Sequence, residues 1–154
     1  MKKVIFSLML LAGLAWFFGC SASRSSMPGG VVTTVETRAY WDFYGYAPIM
    51  YKQGESYQLA LLKAKDVAIN EAYTLAVKTL VGFTIEGGST VEDYMLTKKI
   101  SRESFNAFVR GMRVLEWYED REKLMVIAVV RVYKRDLENF LGVPVVTPPG
   151  SFKP

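Results

Sequence analysis

Across residues 56–80 the apolar positions recur at the spacing of one helical face. Leu62, Ile69, Tyr73, Ala76 and Leu80 fall on a stripe that Leu61, Ala64, Ala68, Ala72 and Leu75 widen, while Lys63, Asp66, Asn70, Thr74 and Lys78 lie opposite. The pattern predicts an amphipathic helix of about seven turns, with Ser56 as its N-cap. Its many alanines predict close packing on a sheet. Gly82 ends it, and residues 83–86 read as a short strand stopped by Gly87 and Gly88. Thr90 and Asp93 match the capping-box spacing, so a helix is expected to begin near Val91. A further helical stretch covers residues 101–109, with Phe105, Phe108 and Val109 on one side and Gly111 as its stop.

The period then changes from helical to alternating. Residues 112–118 and 124–133 read as two strands joined by the charged turn Glu119-Asp120-Arg121-Glu122. Val126, Ala128, Val130 and Val132 fill one face of the last strand, and Met125, Ile127 and Val129 fill most of the other. Such a two-sided strand belongs in the middle of a sheet. Residues 134–141 suit a short closing helix. Residues 31–40, rich in Val and Thr, suit another strand. Tyr40, Trp41, Phe43, Tyr44, Tyr46 and Tyr51 then crowd into 12 residues, where Gly45 and Pro48 argue against a long regular element. Residues 143–154 carry Pro144, Pro148, Pro149 and Pro154 and are expected to be extended or disordered.

The N-terminus has a different character. Lys2 and Lys3 precede a 15-residue apolar run, residues 4–18, broken only by Ser7. Secretory leaders have this anatomy, and the run is short of the roughly 20 residues of a membrane span. Phe17-Phe18-Gly19-Cys20 resembles the lipobox of bacterial lipoproteins, with Phe17 where that class usually has Leu. The resemblance implies cleavage before Cys20 and lipid on Cys20, and two or more acyl chains hold a protein stably on a membrane. The other reading is an ordinary leader or anchor in which Cys20 is incidental. Ser21 follows the cysteine and no Asp does, which by resemblance to the sorting rule favours the outer membrane. Residues 1–19 are thus read as a signal peptide and residues 20–30, small and polar with Gly and Pro, as a flexible tether.

Charge and composition remove several function classes. Cleavage of 19 residues from 154 leaves 135 and takes two lysines, lowering the net charge from +4 to +2, with 17 basic residues against 15 acidic. That is no electrostatic footprint for nucleic acid. A single cysteine permits no internal disulfide, and the chain has no histidine, the commonest general base and metal ligand. No metal-ligand cluster, phosphate loop or cofactor motif is present. Asp66, Glu71, Glu92, Asp93 and Glu103 read as solvated helix faces rather than an acid–base pair. These positions predict no enzyme, no cofactor and no metal.

Three segments in order resemble the LPP-twenty-like lipoproteins of the bacterial envelope and the N-terminal domain of flagellar assembly protein T. They are Glu71-Ala72-Tyr73-Thr74-Leu75-Ala76 in the alanine-spaced helix; Val81-Gly82-Phe83-Thr84-Ile85 followed by Ser89-Thr90-Val91-Glu92-Asp93-Tyr94; and Phe108-Val109-Arg110-Gly111-Met112-Arg113-Val114-Leu115. The likeness spans residues 59–133. Glu71 stands where the family usually has Asp, and the hairpin turn lacks glycine. The resemblance implies an α+β domain over residues 31–142: a small antiparallel sheet, with a long amphipathic helix and a second shorter helix packed on one face. It implies no known enzyme activity.

Two sets of residues are candidates for contact. Trp41, Tyr44 and Tyr46 suit a partner surface, because Tyr and Trp are apolar with a polar tip; the alternative is a lid over one sheet face. Arg110, Arg113 and Arg131 suit an anion, a lipid phosphate or a glycan; the alternative is pairing with Glu116, Glu119 or Asp120. The expectation is a lipid-anchored cell-envelope protein, facing the periplasm or surface, acting as a non-catalytic interaction or assembly module with an envelope partner or a second copy. The alternative is a ligand-binding lipoprotein that holds a small apolar or glycan ligand on its aromatic segment.

Overall fold

The computed structural model describes residues 39–154. The leader, Cys20, the tether and the expected strand residues before Ala39 lie outside them. The described chain runs β1 (Tyr40–Pro48), α1 (Tyr57–Leu80), α2 (Val91–Lys98), α3 (Arg102–Arg110), β2 (Arg113–Asp120), β3 (Met125–Tyr133), α4 (Lys134–Leu141) and β4 (Ser151–Phe152). It is an α+β fold with a four-stranded sheet in the order β2-β3-β1-β4.

Local sequence sets the helix starts. Ser56 Oγ accepts from the Leu59 N–H and opens α1, Thr90 Oγ1 accepts from the Asp93 N–H and opens α2, and Ser101 Oγ accepts from the Ser104 N–H and opens α3. α4 ends at Gly142, whose φ of 75° is the left-handed conformation that a C-terminal glycine adopts without strain.

α1 lies across β1 and β3. Its buried face is Ala60, Ala64, Ala68, Ala72, Ala76 and Leu80, an unbroken i,i+4 series. The stripe of larger side chains read from the sequence is therefore rotated. Leu62 is 55% exposed, and Ile69 and Tyr73 are only half-buried. The physical reason lies in β1. A Cβ on Gly45 would stand 2.0 Å from the Ala68 carbonyl oxygen and 2.4 Å from the Ala72 nitrogen. Strand and helix backbones touch there, and only small residues fit between them.

That contact also corrects the reading of the aromatic segment. β1 runs unbroken through Gly45 to Pro48. The glycine marks close approach rather than a turn, and the proline sits at the strand's last position, where a missing N–H does least harm. β3 pairs antiparallel with β1, Tyr40 opposite Tyr133 through Pro48 opposite Met125, and antiparallel with β2 on its other side, so it is central as expected. A bulge near Leu115 interrupts the β2 register. The hairpin turn places Leu124 at a φ of 50°, a conformation that favours glycine. Residues 83–86 form no sheet strand; they make two isolated bridges, Thr84 to Thr90 and Ile85 to Val145.

The tail takes the extended one of its two expected forms and packs on the domain. Residues 143–154 are ordered as a strap over the core. Val145 is buried, Val146 N–H donates to the Thr84 carbonyl, and Thr147 Oγ1 accepts from the Thr84 N–H. β4 then adds to β1 in parallel, Asp42 opposite Ser151 and Phe43 opposite Phe152, which makes the sheet mixed. The core has two parts under the sheet's inner face. One gathers Trp41, Phe43, Leu80, Phe83, Phe105 and Leu137; the other gathers Ala47, Ile49, Ala60, Ala64, Val126 and Ala128.

Candidate functional site

Strand side chains alternate between faces, so β1 divides its aromatics. Trp41 and Phe43, with Gly45 and Ala47, face α1. Tyr40, Asp42, Tyr44 and Tyr46 face the other way, opposite Tyr133, Arg131, Val129 and Ile127 of β3. β2 extends this outer face with Arg113 beside Arg131, Glu116 beside Val129 and Tyr118 beside Ile127.

Trp41 is therefore a core residue and not a contact residue. It is fully buried, its ring lies 5.0 Å from that of Phe83, and its indole N–H donates to the Pro148 carbonyl at 3.0 Å. Tyr44 and Tyr46 remain on the outer face, half-buried. Tyr40, from the same aromatic stretch, joins them, and so do Tyr118 and Tyr133, which sequence reasoning missed. The usable signal was the two-sided apolar pattern of β3, which requires apolar neighbours on both of its faces. Tyr118 is 46% exposed.

Asp42 and Arg131 form the electrostatic centre of this face. Nε of Arg131 donates to Oδ1 of Asp42 at 2.7 Å, and a terminal nitrogen donates to Oδ2 at 2.8 Å. This is the two-pronged geometry that suits a guanidinium and a carboxylate. The guanidinium also lies over the Tyr40 ring, 3.5 Å from its centre. The hydrogen bonds to Asp42 hold the Arg131 pKa above its ordinary value against the opposing effect of burial. Asp42 is only 7% exposed, and both of its oxygens are occupied.

Arg113 and Arg131 are thus neighbours across β2 and β3, as expected, but the three arginines differ in their partners. Arg131 pairs with Asp42, not with Glu116, Glu119 or Asp120. Glu119 instead pairs with Arg121 and accepts from the Tyr57 hydroxyl, whose pKa is pushed up to about 12, first by that hydrogen bond. Asp120 pairs with Lys123. Arg113 is Arg131's register partner, and Arg110 ends α3; both are exposed, and neither forms an ion pair among the described residues.

The edge of β1 is closed piece by piece. Asp42 N–H donates to the Gly150 carbonyl, Tyr46 N–H donates to Oε2 of Glu71 at 3.0 Å, and Pro48 has no N–H. Glu71 therefore ends β1's free edge, a role no spacing rule suggested. Of the other carboxylates singled out from the sequence, Glu92 pairs with Arg102 and Asp93 serves the α2 cap. A shallow hollow of about 360 Å³ is lined by Tyr40, Asp42, Pro149, Gly150 and Ser151, with one aromatic ring in its wall. Among the described residues no group of three His, Cys, Asp or Glu is placed to hold a metal ion, and no helix is long and apolar enough to cross a membrane.

No protein-family model, no curated protein and no solved structure matches this chain.

Proposed function

We propose that the protein is a lipid-anchored component of the bacterial cell envelope, held at the outer membrane through lipid on Cys20. In this reading its α+β domain acts as a non-catalytic interaction or assembly module of the LPP-twenty-like kind. The observation that carries the reading is the outer sheet face. Val129 is buried on this face, and Tyr44, Tyr46 and Ile127, half-buried, with the exposed Tyr118 form an apolar and aromatic surface of the type partners use. Helix α1 packs on the opposite face. A ligand carrier calls for a ring-walled pocket, whereas the hollow at this end is open and has Tyr40 as its one ring.

Crosslinking in intact cells, followed by identification of what co-purifies, tests the module. Tyr46→Ala is expected to keep the melting temperature within a few degrees and to weaken recovery of the crosslinked partner. Loss of fold in Tyr46→Ala and Tyr44→Ala alike refutes a contact role for this face. Labelling with a fatty acid tests the anchor: the wild type takes label and Cys20→Ser does not, and equal label in both ends the lipoprotein reading.

A further inference from the structure

The strap on β1 divides at Thr147. Upstream, Val145 is buried and bridged to Ile85, and both Val146 and Thr147 are tied to Thr84. Downstream, residues 148–151 are exposed and the segment is held at four points. The Trp41 indole donates to the Pro148 carbonyl, and the Asp42 N–H donates to the Gly150 carbonyl. The Phe152 ring stacks on Phe43 at 5.3 Å and meets Phe83 at 5.8 Å. The Lys153 ammonium lies 4.9 Å from the centre of the Tyr44 ring. Main-chain bonds, one aromatic slot and one ring for a cation are the elements of strand addition, in which an extended peptide completes a sheet edge. Glu71 and Pro48 close the edge beyond, so the groove fits a segment of this length and no longer one.

We propose that this groove is a strand-addition site, and that its occupant in trans is the same tail, residues 148–153, from a second copy of the chain. The seated tail displays the chemistry the groove reads, and every copy carries it. Exchange of an identical element re-forms every bond it breaks, which makes it a low-cost route to association. Copies tethered to one membrane also meet at high effective concentration. The inference rests on the assembly reading and gives it a partner: the strap closes on its own domain when copies are sparse and links neighbours when they are crowded.

The test uses the full chain, expressed in a bacterial envelope as two copies with different tags. One copy carries the photoreactive p-benzoylphenylalanine in place of Tyr44; the other carries the tail unaltered. Light is expected to join the two tags, with the adduct mapping to the peptide that contains Phe152, and Phe152→Ala on the tail-donating copy is expected to abolish it. Deleting residues 148–154 from the photoreactive copy empties its own groove and is expected to increase the joined product. Adducts confined to one chain, adducts between copies that map elsewhere, or capture of a different protein by the emptied groove each overturn the proposal. Membrane fractionation of the same cells reads the anchor separately, so loss of anchoring and loss of exchange are told apart.

Discussion

Gly45→Ala is the sharpest perturbation the fold offers. The added Cβ would lie 2.0 Å from the Ala68 carbonyl oxygen, and real Cβ contacts are essentially never under 3.0 Å, so α1 must retreat by about 1 Å. The obstacle is backbone, which has no alternative rotamer. A gap of this size forfeits about a quarter to a half of the dispersion attraction of each contact it opens. The alanine stripe from Ala60 to Ala76 then loses close contact with the sheet along its length. Overpacking ordinarily costs about 1–3 kcal/mol, and a rigid neighbour on both sides places this case near the upper end, about 3 kcal/mol. For a domain of this size that corresponds to a fall of roughly 12 °C in melting temperature. Gly82→Ala is the matched control: its Cβ would meet nothing nearer than the Thr79 carbonyl oxygen at 3.5 Å, so the same chemical change is expected to be nearly neutral. Urea denaturation followed by tryptophan fluorescence measures both. A loss under about 1 kcal/mol for Gly45→Ala, or equal losses for the two variants, refutes backbone contact as the reason for the alanine face.

Three further outcomes follow from the same geometry. Leu80→Ala, at a fully buried position, is expected to cost about 2–5 kcal/mol, and Leu62→Ala, exposed on the same helix, about 0.5 kcal/mol or less; equal losses in chemical denaturation restore the leucine face. Leu124→Gly is expected to raise stability by about 0.5–1 kcal/mol, because it relieves a φ of 50° in the hairpin turn, and a lower denaturation midpoint contradicts this. Tyr57 has its hydroxyl pKa raised from 10.0 to about 12 in the fold, so its hydrogen bond to Glu119 stabilises fully below pH 10 and is lost as pH climbs toward 12. In an alkaline absorbance titration Tyr57→Phe should remove a late-ionising tyrosine and flatten the fall in stability over that window; an unchanged late component rules the assignment out.

Where a feature is set by neighbours in sequence, the sequence revealed it. Ser56, Thr90 and Ser101 cap their helices through bonds spanning three residues; Thr90 and Asp93 show the capping-box spacing, Ser56 reads as a cap before its apolar stripe, and Ser101 reads only as the start of its helix. On α1 the larger side chains dominate the stripe seen in the sequence, with Ala64, Ala68 and Ala72 at its margin, whereas the fold centres on the alanines. What selects the alanines is Gly45, which lies on another element and forbids bulk. Gly45 and Pro48 read as breakers in the sequence because turn chemistry and close approach use the same residues. The prolines of the tail leave both an extended and a disordered form open in the sequence, because proline has no N–H to give. The strap uses their carbonyls instead: Pro144 accepts from Glu86 and Pro148 from Trp41. On the candidate face, Tyr44 and Tyr46 were legible from composition. Tyr118, Tyr133 and the Asp42–Arg131 pair required the strand register, which joins residues 89 apart in the chain.

The register has a kinetic consequence. β1 finds its antiparallel partner only in β3, Tyr40 with Tyr133, and its other edge is finished by residues 151 and 152. β2 and β3 pair as a local hairpin, whereas β1 joins it through contacts distant in sequence, the class of topology whose loop-closure entropy makes folding slow. β1 has no strand to pair with until β3 has been made, and α1, with its alanine face, has only β1 to lie on before then. Joining β1 to the hairpin is thus the slow step of this topology. Under the anchoring reading, that delay keeps the chain threadable until it has passed through the membrane to which its N-terminus stays attached.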